Sequence, residues 1–350
     1  MRKTLRSAVQ SSLRFKRYPY TYARVMVMKG RLLDRGDYDR LARLSLTGII
    51  KLLQDTDYRA EIDRLAIRHE GIALLEHALH ANLIATYTKL RSISSEELTT
   101  LFDAYLLRHD VQNIKDILRG LHAGLPKSRI AEMVSPVCFT QEEYDELLSA
   151  GTIEDVLSRL QFIPLSAFED GLARYGAFKS LDLIEAVLDQ HFFLRMLAAA
   201  KQIPQQGQLL RNMLLQEIDL LNLKAILRLR AADVAAEHVE KVVIFRGGRL
   251  KPALLRRLLH LDLAQALQEC GGTPYGELFK GAADLTSLEV KIDRYLLRHS
   301  LAFIHGHPLT ANIIVGYLFA KEVEVRNLRL LGKATHLGLG QDFVQEGLVV

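Results

Sequence analysis

No tryptophan occurs in this 350-residue chain, cysteine occurs twice and proline only eight times. The two cysteines, Cys138 and Cys270, stand far apart with no CxxC partner. That excludes a disulfide framework and a thiolate zinc site, and it suits a reducing compartment. No run reaches the ~18 consecutive apolar residues that span a bilayer. The longest candidate, Ile313-Ile-Val-Gly-Tyr-Leu-Phe-Ala320, is stopped at once by Lys321 and Glu322. Any membrane association is therefore expected to be peripheral. Scarce proline, with abundant Leu, Ala, Arg and Glu, describes an all-α protein. A 49% hydrophobic and 25% charged composition describes one that can bury cores.

Catalytic and ligand motifs are also missing. There is no GxSxG elbow, and Gly338-Leu-Gly340 stops short of a GxGxxG fingerprint. Gly120-Leu-His-Ala-Gly124-Leu-Pro-Lys127-Ser128 lacks the GxxxxGK[ST] spacing and follows a helix rather than a strand, so its amides would not be aimed at a phosphate. His77 and His80 flank one helical turn beside Glu76, yet no further ligands lie near in sequence and the equivalent glutamates have no histidines. His305-Gly-His307 reads as a turn before Pro308. Neither a metal nor a cofactor is expected.

One sign of charge is absent from the start of the chain. Nine Lys or Arg fall between Met1 and Leu33 (Arg2, Lys3, Arg6, Arg14, Lys16, Arg17, Arg24, Lys29, Arg31), with no acid among them. A transit peptide and a nucleic-acid arm both fit part of this leader. The first has no other organelle signal beside it, and the second lacks stacking aromatics and an RNA-binding motif. A basic face near anionic headgroups or an acidic partner, or a solvated face, fits better.

What is present is a repeat. Asp110-Val-Gln-Asn113-Ile-Lys115 returns as Asp219-Leu-Leu-Asn222-Leu-Lys224 and again, at a nearly equal interval, as Glu324-Val-Arg-Asn327-Leu-Arg329. A glutamate anchor precedes each copy. The spans Glu76 to Asn113, Glu185 to Asn222 and Glu289 to Asn327 agree to within one position. A third anchor follows each Asn in Ile130-Ala-Glu132, Val239-Glu-Lys241 and Phe343-Val-Gln345, again constant to within one position. Three copies with unreactive residues at the repeated positions describe a scaffold rather than one active site.

The repeat divides the chain into helical domains at 1–136 (with the basic leader 1–17), 137–247 and 248–350. Ser135-Pro136 and Gly247-Gly248 mark short junctions. Ile72, Leu75, Leu79 and Leu83 make one helical stripe, and Leu106, Ile114, Ile117 and Leu121 another. Gly120 and Gly124 with Pro126 are expected to stop the latter helix. Thr140-Gln-Glu-Glu143 reads as a capping box, and Val242-Val-Ile-Phe245 as the end of a helix rather than a strand. Asn is a poor helix former, so its threefold placement mid-helix suggests an amide that satisfies a loop or a neighbouring helix end. The acids Asp110, Asp219 and Glu324 lie close in sequence to Lys115, Lys224 and Arg329, which suggests salt-bridged helix surfaces.

Tyr18-Pro-Tyr20-Thr-Tyr22-Ala-Arg24-Val-Met-Val-Met-Lys29-Gly30-Arg-Leu-Leu33 resembles the opening of the C subunit of archaeal-type (A-type/V-type) rotary ATP synthases, counterpart of the vacuolar ATPase d subunit. Tyr105-Leu-Leu-Arg108-His-Asp110-Val-Gln-Asn113-Ile-Lys115 resembles its central signature. Pro308 with Tyr317-Leu-Phe-Ala-Lys321-Glu322-Val-Glu324-Val-Arg326-Asn327-Leu-Arg329 resembles its last long helix, and Lys333-Ala-Thr-His-Leu-Gly-Leu its close. The likeness runs from Tyr18 onward; the basic leader before it is longer than the family pattern, and no role is inherited for it.

This resemblance implies three homologous helical domains in a pseudo-threefold funnel or socket. It implies a non-catalytic rotor component of a proton- or sodium-translocating ATP synthase, peripheral on the cytoplasmic face of the cell membrane. The implied partners are the proteolipid (c/K) ring, the D and F subunits of the central shaft and the whole A-type ATP synthase complex, with no nucleic acid. Independently of the resemblance, the repeat-signature residues Glu76, Asn113, Lys115, Glu185, Asn222, Lys224, Glu289, Asn327 and Arg329 are expected to be structural. A generic helical-repeat adaptor, a basic nucleic-acid-binding protein and an enzyme of unrecognised type are the competing readings.

Overall fold

The computed structural model describes residues 18–134, 137–201, 207–245, 248–280, 285–301 and 311–349. Every regular element among them is helical: nineteen α-helices and one short 3-10 turn. After α1 (Pro19–Lys29), the elements recur in three similar sets. Each set has short helices first, then two long helices, then one more short helix.

The first set is α2 (Arg35–Leu41), α3 (Leu46–Leu53), α4 (Arg59–Leu65), α5 (Gly71–Ser92), α6 (Glu96–His122) and α7 (Lys127–Met133). The second is α8 (Gln141–Ser149), α9 (Ile153–Ser158), a 3-10 turn (Leu165–Phe168) running into α10 (Glu169–Phe178), α11 (Asp182–Lys201), α12 (Gly207–Ala231) and α13 (Ala236–Val242). The third is α14 (Pro252–His260), α15 (Leu263–Gly271), α16 (Gly276–Phe279), α17 (Leu285–Leu301), α18 (Ala311–Leu337) and α19 (Gln341–Gly347).

Local chemistry sets the boundaries. Asp34 and Thr140 each start a helix through a full capping box, with Asp37 and Glu143 reaching back to the cap's own amide. Ser45, Thr152 and Asp262 cap the second short helix of each set by a single side-chain bond, accepting from the amides of Gly48, Asp155 and Gln265.

The second long helix of each set ends at one repeated place, eleven positions past its Asn. Gly124, Asp233 and Gly338 there have φ of 67°, 54° and 67°. The following amide reaches back across the last turn in each case, Leu125 to Gly120, Val234 to Leu229 and Leu339 to Ala334. Gly120, expected as a stop, lies within α6, where a Cβ would come 2.6 Å from Ile130 Cγ1 of α7. It permits a close approach, and Gly124 makes the stop. Val243 is extended and α13 ends at Val242, so 242–245 closes a helix and forms no strand.

The described chain packs as two compact units, 1–99 with 293–350, and 100–292. In the first, α18 lies against α5, α1, α3 and α19. The stripe on α5 is broad: Leu74, Leu75, Ala78, Leu79, Leu83, Tyr87 and Leu90 are buried, while Ile72 is only half-buried. In the second, α11 pairs with α12 and the short helices α10, α13, α14 and α15 cover them. Cys270 is buried and its thiol is pushed up to about 12 by desolvation. Cys138 is exposed, and neither cysteine is in a disulfide.

Candidate functional site

The repeated acid on the second long helix of each set builds three buried polar cages. Asp110 on α6 is fully buried and accepts hydrogen bonds from the amides of Val137 (3.1 Å) and Cys138 (2.8 Å) and from the Tyr144 hydroxyl (2.9 Å). Asp219 on α12, also fully buried, accepts from the amides of Arg249 (2.7 Å) and Leu250 (3.1 Å) and from the Tyr275 hydroxyl (2.9 Å). Glu324 on α18 accepts from the Leu33 amide and the Tyr58 hydroxyl, both at 2.7 Å, and from Lys321 Nζ at 2.8 Å. Each cage thus joins one carboxylate, one tyrosine and the chain entering a block of short helices.

The electrostatics follow from burial. Burial and the adjacent carboxylate push the hydroxyls of Tyr144 and Tyr58 well above the usual tyrosine range, so they remain donors. Burial raises the Asp219 carboxyl above its ordinary value, against the hydrogen bonds it accepts. Each acid is held by backbone amide and tyrosine hydroxyl donors, with the Lys321 ammonium added at Glu324, an arrangement that ties segments together.

The Asn side chains work one turn further along. Asn222 donates to the Ile244 carbonyl (3.0 Å) and accepts from the Ile244 amide (2.9 Å). Asn327 does the same with Val349, at 2.7 and 3.1 Å and at the same separation along the chain. The equivalent position in the first copy is Ser135, outside the described residues, and Asn113 donates to the Tyr144 hydroxyl at 2.7 Å.

The repeated glutamates meet bases one copy back. Glu185 takes a two-pronged bond from Arg119 of the first copy, both arms 2.7 Å. Glu289 stands 3.8 Å from Lys224 of the second copy. Glu76 stands 3.1 Å from Lys333 of the third copy, a charge contact without hydrogen-bond alignment. Lys115 pairs with Asp189, while Arg329 is half-buried and makes no ion pair with any described residue.

The expected pairing of each repeated acid with its own neighbouring base does not occur. A separation of five residues turns the two side chains about 140° apart on a helix, so acid and base point to different surroundings. The acid faces the cage, and the bases at 115 and 224 face the next copy. Sequence reading also misses Tyr58, Tyr144 and Tyr275. Tyr144 shares its place after the cap with Tyr38, whereas Tyr58 and Tyr275 sit later, at the caps of α4 and α16, so the tyrosine does not recur at one spacing. His77, weighed as a metal ligand, packs its ring 4.3 Å from that of His69. His305 and His307, and the leader 1–17, lie outside the described residues.

The family model described as ATP synthase (C/AC39) subunit matches residues 21–347. The chain belongs to that family. Its ATP synthase (C/AC39) relatives include proteins named as the C subunit of A-type ATP synthase in three archaea. The Methanosarcina barkeri protein is 30% identical, over 95% of this chain and 93% of its own. That of Methanococcoides burtonii is 30% identical over 99% and 98%, and that of Archaeoglobus fulgidus 27% identical over 95% and 96%. The stretch covered by the (C/AC39) model contains all three cages.

Proposed function

We propose that this chain is the C subunit of an A-type ATP synthase, a non-catalytic rotor component. In this role it joins the membrane proteolipid ring to the D and F subunits of the central shaft. It carries torque between ion translocation and ATP synthesis or hydrolysis. The observation that carries the reading is the family match across 21–347, together with full-length relatives that bear that name.

The cages support a mechanical role. Torque transmission needs segments that do not slide, and the second long helix of each set is pinned to a block of short helices by a buried carboxylate rather than by apolar packing alone. Such satisfied polar networks fix one arrangement among the many that apolar contact tolerates. Glu76, Asn113, Lys115, Glu185, Asn222, Lys224, Glu289, Asn327 and Arg329 serve, in this reading, as structural positions of three homologous domains, 1–136, 137–247 and 248–350, disposed as a pseudo-threefold funnel. Among the described residues no helix is long and apolar enough to cross a membrane. A peripheral position on the cytoplasmic face of the cell membrane accords with that.

Affinity capture of the tagged chain from detergent-solubilised membranes of its host tests the proposal. Mass spectrometry should find proteolipid, shaft and nucleotide-binding subunits together with it. Recovery of the chain alone, as a soluble monomer, would reject the rotor role and leave a helical adaptor.

A further inference from the structure

The third cage differs from the other two in how it is filled and in what it contains. Asp110 and Asp219 draw their amide donors from 27 and 30 residues downstream, so connectivity delivers the segment. Glu324 draws its amide from Leu33, 291 residues away, and its hydroxyl from Tyr58, 266 residues away. Effective concentration falls as roughly the three-halves power of chain length, so connectivity favours this closure on the order of 35-fold less than the first cage's (291 against 27). A Leu33–Tyr58 segment from a second copy would therefore compete best here.

It is also here that the chemistry changes. Six positions before the repeated Asn, the first two copies carry Leu107 and Gln216, and the third carries Lys321. The third acid is glutamate instead of aspartate. Lys321 is 3% exposed. Its ammonium lies 2.8 Å from Glu324, 2.9 Å from the Tyr58 hydroxyl and 4.1 Å from the centre of the Tyr58 ring. The Tyr58 hydroxyl donates to Glu324 and accepts from Lys321 at once. A buried ion pair adds little stability over an apolar replacement, and its best-attested use is to enforce one pairing over others.

We propose that the Lys321–Glu324 pair is the specificity element that holds the chain's own Leu33–Tyr58 segment on α18, and that without it this site becomes an exchange surface for the same segment of a second copy. Tyr58 is the residue read by the pair. Cages one and two need no such element because their segments are tethered closely.

The double substitution Lys321→Leu with Glu324→Asp gives the third cage the side chains of the first. Purified full-length protein should keep its helical circular dichroism, yet run partly as a dimer on sizing with light scattering. Mixed tagged and untagged copies should be captured together after incubation, at ten times the wild-type yield or more. Tyr58→Phe keeps the ring over Lys321 and removes only the hydroxyl, and it should raise exchange in the same direction. A folded double variant that stays monomeric at every concentration overturns the proposal. So does a Tyr58→Phe protein that exchanges no more than wild type, whatever the double variant does. Wild-type protein that already exchanges as fast as its variants overturns it as well.

Discussion

Asp233 occupies the left-handed position that Gly124 and Gly338 occupy in the other two copies, with φ of 54°. A side chain there crowds the following carbonyl, at a cost of about 1 kcal/mol relative to glycine. Asp233→Gly should therefore stabilise the protein by about 0.5–1 kcal/mol, read as a raised denaturant midpoint at unchanged m. Asp219 makes a second single-residue case. Its folded carboxyl titrates above the unfolded value of 3.8, so the native state binds the proton more tightly. The sign is then opposite to that of a salt-bridged acid: the group adds stability as pH falls from its raised folded value toward 3.8. Asp219→Asn should remove that contribution. Wild type should gain melting temperature relative to the variant on going from pH 7 to pH 4; a difference independent of pH would show that Asp219 does not titrate abnormally.

Between elements, the pattern of small residues decides how closely helices meet. A Cβ on Gly332 of α18 would stand 2.3 Å from Leu75 Cδ2 of α5, and Leu75 is fully buried. Gly332→Ala would have to displace that leucine, for a loss of about 1–3 kcal/mol despite alanine's better helix propensity. A melting temperature equal to or above wild type would mean that α5 and α18 are farther apart than described. The element scale is also where the sequence is most legible and where it misleads. Helical stripes, the Thr140 capping box and the Asn positions are local patterns, and local patterns survive in one sequence. The third anchor of the last copy belongs one position later than the pattern suggests. Phe343 is 52% exposed, while Val344 is buried and stands as far past Asn327 as Ile130 and Val239 stand past Asn113 and Asn222. Phe attracts the eye as a core residue, but only the helical register tells which neighbour faces inward. Gly120 misleads for a related reason, since a glycine that ends a helix and one that admits a neighbour look alike until the neighbour is known.

At the scale of the molecule, segments near the two ends of the chain, the described residues within 18–99 and 293–349, form one compact unit, and no local pattern could announce it. The repeat can be read along the chain, but a segment at Leu33 that completes a cage at Glu324 is visible only once the chain is folded. This has a measurable consequence. Asn327 holds both the amide and the carbonyl of Val349, and Asn327→Ala leaves both to find other partners, for a loss of about 1–3 kcal/mol. Segments that open together share one free energy of opening. Hydrogen exchange followed by mass spectrometry should therefore show faster exchange in Asn327→Ala across 311–349 and, with it, across 33–92 near the other end of the chain. Peptides from 141–280 should keep their protection. Acceleration confined to 341–349 would mean that the last short helix frays by itself, and that the ends of the chain do not behave as one cooperative unit.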